Sequence, residues 1–371
     1  MLLAPYAKRE AGLSEHLSGI VANPMNQPYA SKVAVFGTAG FTWNDRAYDP
    51  GKNWRSAMAY LAGGDREATE ALLVFGDLEH MAPTFGATPW QPQTPELARR
   101  VGRFWTAWGQ GERTSSVESL RTYAQAVERA PATIRGGAVE KGFTADAAPW
   151  LDATELWGTA MVRMLDALAA RQAGDKETSD RLLAESDEPQ RQARAVRTDP
   201  PRNSWGPVQP KVGDGVLDTF LFQAGLRLQL WDSAGGTENL ALKGTASASS
   251  VEQGLDRLAP RHVNDGSMGT RWASGYSDEE WVQVELAAPA KVAAVTVAWE
   301  RACATEYAVQ TSTDGVTWKT VSTQRPRECG NDVVRLAGDE AVSHVRVQGV
   351  DRKTTWGYSV HELGIFGTSV S

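Results

Sequence analysis

Asp265, Gly266 and Thr270 put a carboxylate, a tight turn and a hydroxyl on one short stretch. Such a run of oxygen donors suits calcium, which takes about six to eight oxygens at loose geometry, backbone carbonyls among them. A metal-free aspartate turn is the plainer alternative. The second chemical signal is the count of tryptophans, fourteen. An indole fills cores, but its face also stacks on the C–H face of a sugar ring. Cys303 and Cys329 are the only cysteines. A lone pair in a β-rich region fits one disulfide formed in an oxidising compartment, with two buried free thiols as the other reading. No two aspartates are adjacent anywhere in the chain. No phosphate-binding loop, dinucleotide fingerprint, zincin helix or serine elbow occurs. His16, His80, His262, His344 and His361 are scattered without ligand spacing, so zinc is not expected.

The bulk properties narrow the field. The net charge is −7, and lysine and arginine are interspersed with acids, which argues against a nucleic-acid face. No run approaches the ~20 apolar residues of a membrane helix. The opening MLLAPYAKREAG lacks the apolar centre of a signal peptide and shows no clear first element, so Met1 reads as an internal start or a truncation. A chain of 371 residues implies two or three domains.

The elements that would position these groups fall into blocks. Residues 1–62 read as α/β. Gly19-Ile20-Val21-Ala22 forms a short strand ended by Asn23-Pro24, then Pro28 to Trp43 forms a helix. Asp49-Pro50 caps another, carrying Trp54 to Leu61, which Gly63-Gly64 ends. One strand cannot bury its own faces, so this block needs partners. Residues 63–230 read as a helical bundle. Thr94-Pro95-Glu96 opens a helix through Trp108, and Ser116 opens one to about Arg129. Between Asp146 and Ala173, residues Leu151, Trp157, Met161, Met164, Leu165 and Leu168 recur at helical spacing as core. Residues 198–215 form a Pro/Gly-rich connection before a last helix, Val216 to Leu230. Residues 231–238 read as a linker, and 239–368 as short alternating runs with turns such as Thr313-Asp314-Gly315, an antiparallel β-sandwich.

Ordered blocks in that last region carry a resemblance. They are Asn239-Leu240-Ala241, Val263-Asn264-Asp265-Gly266, Thr270-Arg271-Trp272, the run from Trp281 to Leu286, Ser312-Thr313-Asp314-Gly315 and the run from Gly357 to Leu363. Together they resemble the F5/8 type C (discoidin) family and, within it, carbohydrate-binding module family 32. The resemblance implies a galactose-binding-like jelly roll and a carbohydrate partner of N-acetylglucosamine or galactose type. It also brings Glu362 to the calcium loop, giving Asp265, Thr270 and Glu362 as ligands of a structural Ca2+. Glycan contacts in that family come from loops at one end of the sandwich. The candidates here are Trp299, Glu300, Arg301, Trp356 and Tyr358.

The N-terminal block resembles another family. Leu17 to Lys32, with Phe41-Thr42-Trp43-Asn44, Tyr48-Asp49-Pro50 and Trp54, is similar to the end of the catalytic barrel of glycoside hydrolase family 84. Those enzymes are β-N-acetylglucosaminidases, and the order of barrel, helical domain and sugar-binding sandwich agrees. The resemblance makes residues 1–62 the edge of a (β/α)8 barrel. It makes Asn23, at a strand's C-terminal end, a group that bonds the bound sugar, with Trp43 and Asn44 as weaker contacts. The family's reaction is retaining and uses the substrate's acetamido oxygen together with two adjacent aspartates, a pair this chain lacks. The expected product is therefore the C-terminal portion of a secreted multidomain α+β glycosidase, inactive alone. A non-catalytic adhesion protein on a helical stalk is the alternative.

Overall fold

A computed structural model describes residues 1–80, 93–198, 207–232, 239–337 and 340–370. The chain divides into two compact units, Met1–Ala224 and Gly225–Ser371. Most of the expected linker, residues 233–238, and half of the Pro/Gly-rich connection, residues 199–206, lie outside the described residues.

The first unit is helical. Its elements are α1 (Lys32–Trp43), α2 (Pro50–Leu61), α3 (Arg66–Leu78), α4 (Pro95–Gly109), α5 (Arg113–Gly136), α6 (Lys141–Asp146), α7 (Ala148–Gln172), α8 (Lys176–Ala195) and α9 (Leu217–Gln229), the last running across the unit boundary. Local signals set several starts. Asp49 accepts the Lys52 N–H at 2.9 Å with Pro50 in the first turn, and Asp65 and Asp175 cap α3 and α8 in the same way. The start of α4 differs from the expected Thr94 cap. Thr94 is left-handed, and its hydroxyl donates to Asp77. Asp77, on α3, accepts the Glu96 and Leu97 N–H groups at 2.9 and 3.1 Å, so a neighbouring helix supplies the cap.

The expected apolar stripe of α7 is buried along its length, from Leu151 to Leu168. Gly158 lets α7 close on α5: a Cβ there would stand 2.5 Å from the Glu128 backbone. The expected strand at Gly19–Ala22 does not form. That stretch belongs to no strand, and Val21 is 97% exposed, because among the described residues no neighbouring strand offers its backbone a ladder. The rest of the first 62 residues does find partners within the chain. Leu3, Val33, Met58 and Leu61 share one core with Leu72 and Phe75 of α3, Ile134 of α5 and Leu151 of α7. Asp146 of α6 accepts the Tyr29 and Ala30 N–H groups just before α1.

The second unit is an antiparallel sandwich of β1 (Thr245–Ala248), β2 (Trp272–Ala273), β3 (Trp281–Trp299), β4 (Ala304–Ser312), β5 (Lys319–Gln324), β6 (Asn331–Arg335), β7 (Ala341–Arg352) and β8 (Ser359–Ser369). The strand order is β2-β8-β3-β7-β4-β5, with β1 and β6 also paired to β3. Two runs separate in sequence, Trp281–Leu286 and Lys291–Trp299, are one strand. Its first half pairs with β1 and β7, its second with β6 and β8, and the register shifts between Glu285 and Ala290. That irregularity lets one strand serve both layers. Val282, Val284, Val345 and Val347 meet Val295, Val297, Leu363 and Ile365 in the core. The Asp314 turn forms as expected, its carboxylate accepting the Val316 and Thr317 N–H groups at 2.8 and 2.7 Å with Gly315 at φ +73°.

Candidate functional site

One end of the sandwich gathers three loops that regular pairing leaves free: residues 249–254, 274–280 and 353–358. Two aromatic rings stand open there. Tyr276 is 50% exposed and Trp356 61%, with ring centroids 6.1 Å apart at 67°. The Tyr276 hydroxyl donates to Glu252 Oε1 at 2.9 Å. Beside it, Glu280 accepts the Ser249 and Ser250 hydroxyls, and Ser250 Oγ in turn accepts the Gly275 N–H at 2.8 Å. Two carboxylates therefore border an exposed aromatic corner.

The backbone at this end is specialised. Gln253, next to Glu252, sits at φ +51°, a left-handed conformation that a non-glycine residue adopts at a cost of order 1–3 kcal/mol. Gly357 follows Trp356 at a crossing with no room for a side chain: a Cβ would stand 2.2 Å from the Gly275 carbonyl oxygen. The same crossing carries the bond from Tyr358 N to Ser274 Oγ at 2.8 Å.

The expected glycan contacts separate sharply. Trp356 is at the surface, as a stacking platform must be. Tyr358 is 1% exposed and Trp299 5%, so neither can touch a glycan. Trp299 packs on Tyr307 and Tyr358 and donates Nε1 to Asp332 at 3.1 Å. The Tyr358 hydroxyl donates to the Asp278 carbonyl at 2.9 Å, fastening the Tyr276 loop from beneath. Both aromatics were candidates for glycan contact, but packing turns their rings into the interior. Glu300 caps its own turn by accepting the Ala302 N–H at 3.1 Å, and Arg301 is exposed beside it. That turn is tied down by a disulfide between Cys303 and Cys329, with Cα atoms 5.6 Å apart, so the two cysteines pair. Tyr276, Glu252 and Glu280 were not anticipated. The one signal, an aromatic within the polar stretch Gly275-Tyr276-Ser277-Asp278-Glu279-Glu280, covers Tyr276 and Glu280 but not Glu252.

The structure brings the three expected calcium ligands to one place. Thr270 Oγ1 donates to Asp265 at 2.8–2.9 Å, and Glu362 Oε1 accepts the Gly266 and Ser267 N–H groups at 2.8 and 3.0 Å. Glu362 is 3% exposed, and its carboxyl is pushed up to about 9 by burial and then by the facing Asp265. Two facing carboxyl groups, one of them buried, are a donor set a divalent cation fits. The hydroxyl and nearby carbonyls are further oxygens of the kind calcium takes.

In the first unit, Asn23 and Trp43 lie open to solvent, Trp43 at 91%. Asn44 Oδ1 accepts the Ala47 N–H at 3.1 Å. No hydrogen bond or ring contact links Asn23 to the other two among the described residues.

Residues 1–77 match the family described as beta-N-acetylglucosaminidase, and residues 245–363 match the F5/8 type C domain. The chain thus joins a β-N-acetylglucosaminidase-family segment to an F5/8 type C domain. The F5/8 domain is 37% identical to chitosan-binding module 1 of a chitosanase/glucanase from Paenibacillus sp. IK-5. That match covers 35% of this chain and 99% of the module, with a TM-score of 0.33. Module 2 of the same enzyme, solved with chitotriose, is 31% identical over 35% of this chain and all of the module, again at 0.33. A third structure, CpGH84B, matches 60% of this chain at 21% identity and a TM-score of 0.51. The chain spans 36% of its length, so this likeness bears on the fold alone. No helix among the described residues is long and apolar enough to cross a membrane.

Proposed function

We propose that the F5/8 type C domain binds chains of amino sugar, glucosamine above all, at the corner formed by Tyr276, Trp356, Glu252 and Glu280. The observation that carries this is the exposed ring pair bordered by carboxylates. A pyranose presents an apolar C–H face to an indole, and a protonated 2-amino group seeks a carboxylate at the ring's edge. A neutral galactose or N-acetylated sugar would leave those acids without a charged partner. The modules that are 31–37% identical over their whole length are described as chitosan-binding, which supports the same reading.

The test is calorimetry on the whole chain with glucosamine trimer, N-acetylglucosamine trimer and galactose in parallel. The reading expects the glucosamine trimer to bind most tightly, and Glu252→Gln to abolish that preference. Equal affinity for the acetylated trimer would overturn it.

The wider role follows from the first unit. The chain supplies glycan targeting to β-N-acetylglucosaminidase chemistry, in which a substrate acetamido group attacks the anomeric carbon. It contains no adjacent aspartates to orient that group and protonate the leaving oxygen, so by itself it is a binding protein. An aryl N-acetylglucosaminide should give no turnover above blank. The paired cysteines support a secreted setting. Asp265, Thr270 and Glu362 would hold calcium in a structural role, its charge offsetting the repulsion between the two facing carboxyl groups.

A further inference from the structure

The rings of the proposed glycan site stand on two loops that contain no strand of their own, so something else must set their spacing. Arg352, the last residue of β7, reaches both. Its Nε donates to Asp278 Oδ1 at 2.6 Å and its backbone N–H to the same oxygen at 3.3 Å, two residues past Tyr276. Its Nη1 reaches the carbonyls of Thr355 and Trp356 at 3.4 and 3.3 Å. One planar guanidinium thus spans the Tyr276 loop and the Trp356 loop. The next residue pulls the other way. Lys353 donates its N–H to the Cys303 carbonyl at 3.0 Å and its Nζ to the Arg327 carbonyl at 2.9 Å, tying the loop to the disulfide-linked turns.

We propose that Arg352, acting with Asp278, is the positioning residue of the aromatic corner. It holds the two rings at their binding separation before a glycan arrives, so association does not bear the cost of ordering the loops. The proposal rests on the glycan reading above. Arg352 is itself mostly covered, at 19% exposure, with Nε and Nη1 already engaged. Asp278 is 49% exposed, and an ion pair so open to water contributes little to folding stability. Its consequence is geometric. The fork is what matters, because a lysine ammonium is a point charge that cannot hold a carboxylate and a carbonyl on separate loops in one plane.

The experiment uses the whole chain, glucosamine trimer as probe, calorimetry for affinity and thermal melting for stability. Arg352→Lys and Asp278→Asn should each weaken binding about tenfold. Each should leave Tm within about 2 °C of the parent. The double variant should bind no more weakly than either single one, since both break the same link. Tyr276→Ala is the control for the site itself and should remove binding. If Tyr276→Ala abolishes binding while Arg352→Lys and Asp278→Asn bind as the parent does, the positioning role is wrong and the glycan reading stands. Additive losses in the double variant, or a lowered Tm with unchanged affinity of the folded protein, would equally overturn it. If Tyr276→Ala itself binds as the parent does, the glycan reading falls and the positioning role falls with it.

Discussion

Replacing Trp356 by alanine separates a recognition residue from a packing residue. Trp356 is 61% exposed, which for a side chain of about 250 Å² leaves ~150 Å² open to a ligand. A sugar ring covers one face, about half of that, so ~75 Å² leaves water on binding, worth ~2 kcal/mol at ~25 cal/mol per Å². The affinity for glucosamine trimer should therefore fall about thirtyfold. The fold should hardly notice, because the ring's main neighbour is Tyr276, itself half open. The unfolding free energy should change by less than ~1 kcal/mol, as for surface substitutions in general. Titration calorimetry and urea unfolding of the same preparations give both numbers. A variant with parental affinity would refute the stacking argument. One that lost several kcal/mol of stability would show that the ring is structural after all. Trp299→Ala is the internal contrast: at 5% exposure it should cost ~3–5 kcal/mol of stability.

Further outcomes follow from particular contacts. Gly357→Ala must push apart two backbones, since its Cβ would stand 2.2 Å from the Gly275 carbonyl oxygen; it should cost ~1–3 kcal/mol in unfolding and also weaken glycan binding, because the displaced loop carries Trp356. Removing calcium with a chelator should lower the Tm of the second unit, and Glu362→Gln should make Tm insensitive to the chelator; equal melting with and without it would count against the metal. Cys303→Ser combined with Cys329→Ser opens a loop of 26 residues and should lower stability by about 3 kcal/mol, read from urea midpoints. Asp314 has its carboxyl held well below the usual range by the Thr317 and Val316 N–H groups and the Ser312 hydroxyl. A lowered folded value means stability that is present above the unfolded value near 4 and lost as pH falls further. Asp314→Asn should lower stability most at neutral pH, flatten that acid slope in pH-dependent unfolding, and leave the most acidic pH least changed.

Much of the architecture was written locally. Asp49-Pro50 marks the start of α2 because a capping carboxylate and a proline satisfy a helix end regardless of what packs on it. The stripe from Leu151 to Leu168 gives α7 because 3.6-residue spacing puts those side chains on one face. Alternation gives the strands, Asp314-Gly315 gives a turn, and the ordered blocks from Asn239 to Leu363 give the family. The juxtaposition of Asp265 and Thr270 was legible for the same reason, since they are five residues apart, whereas Glu362 joined them only through the family resemblance.

Tertiary structure alone decided which aromatics meet solvent. Trp299, Trp356 and Tyr358 are the same kind of residue in similar strand-end contexts, yet only Trp356 is exposed. Trp299 ends β3, where pairing with β8 and packing on Tyr307 close over its ring, and Tyr358 lies over Gly349, which has no side chain to hold it off. Likewise Glu252, Tyr276 and Arg352 come from stretches up to a hundred residues apart. Periodicity specifies which face of a strand a residue occupies. It carries no information about which loops share one end of a sandwich, because that depends on strand order and register, fixed only when the two layers pack.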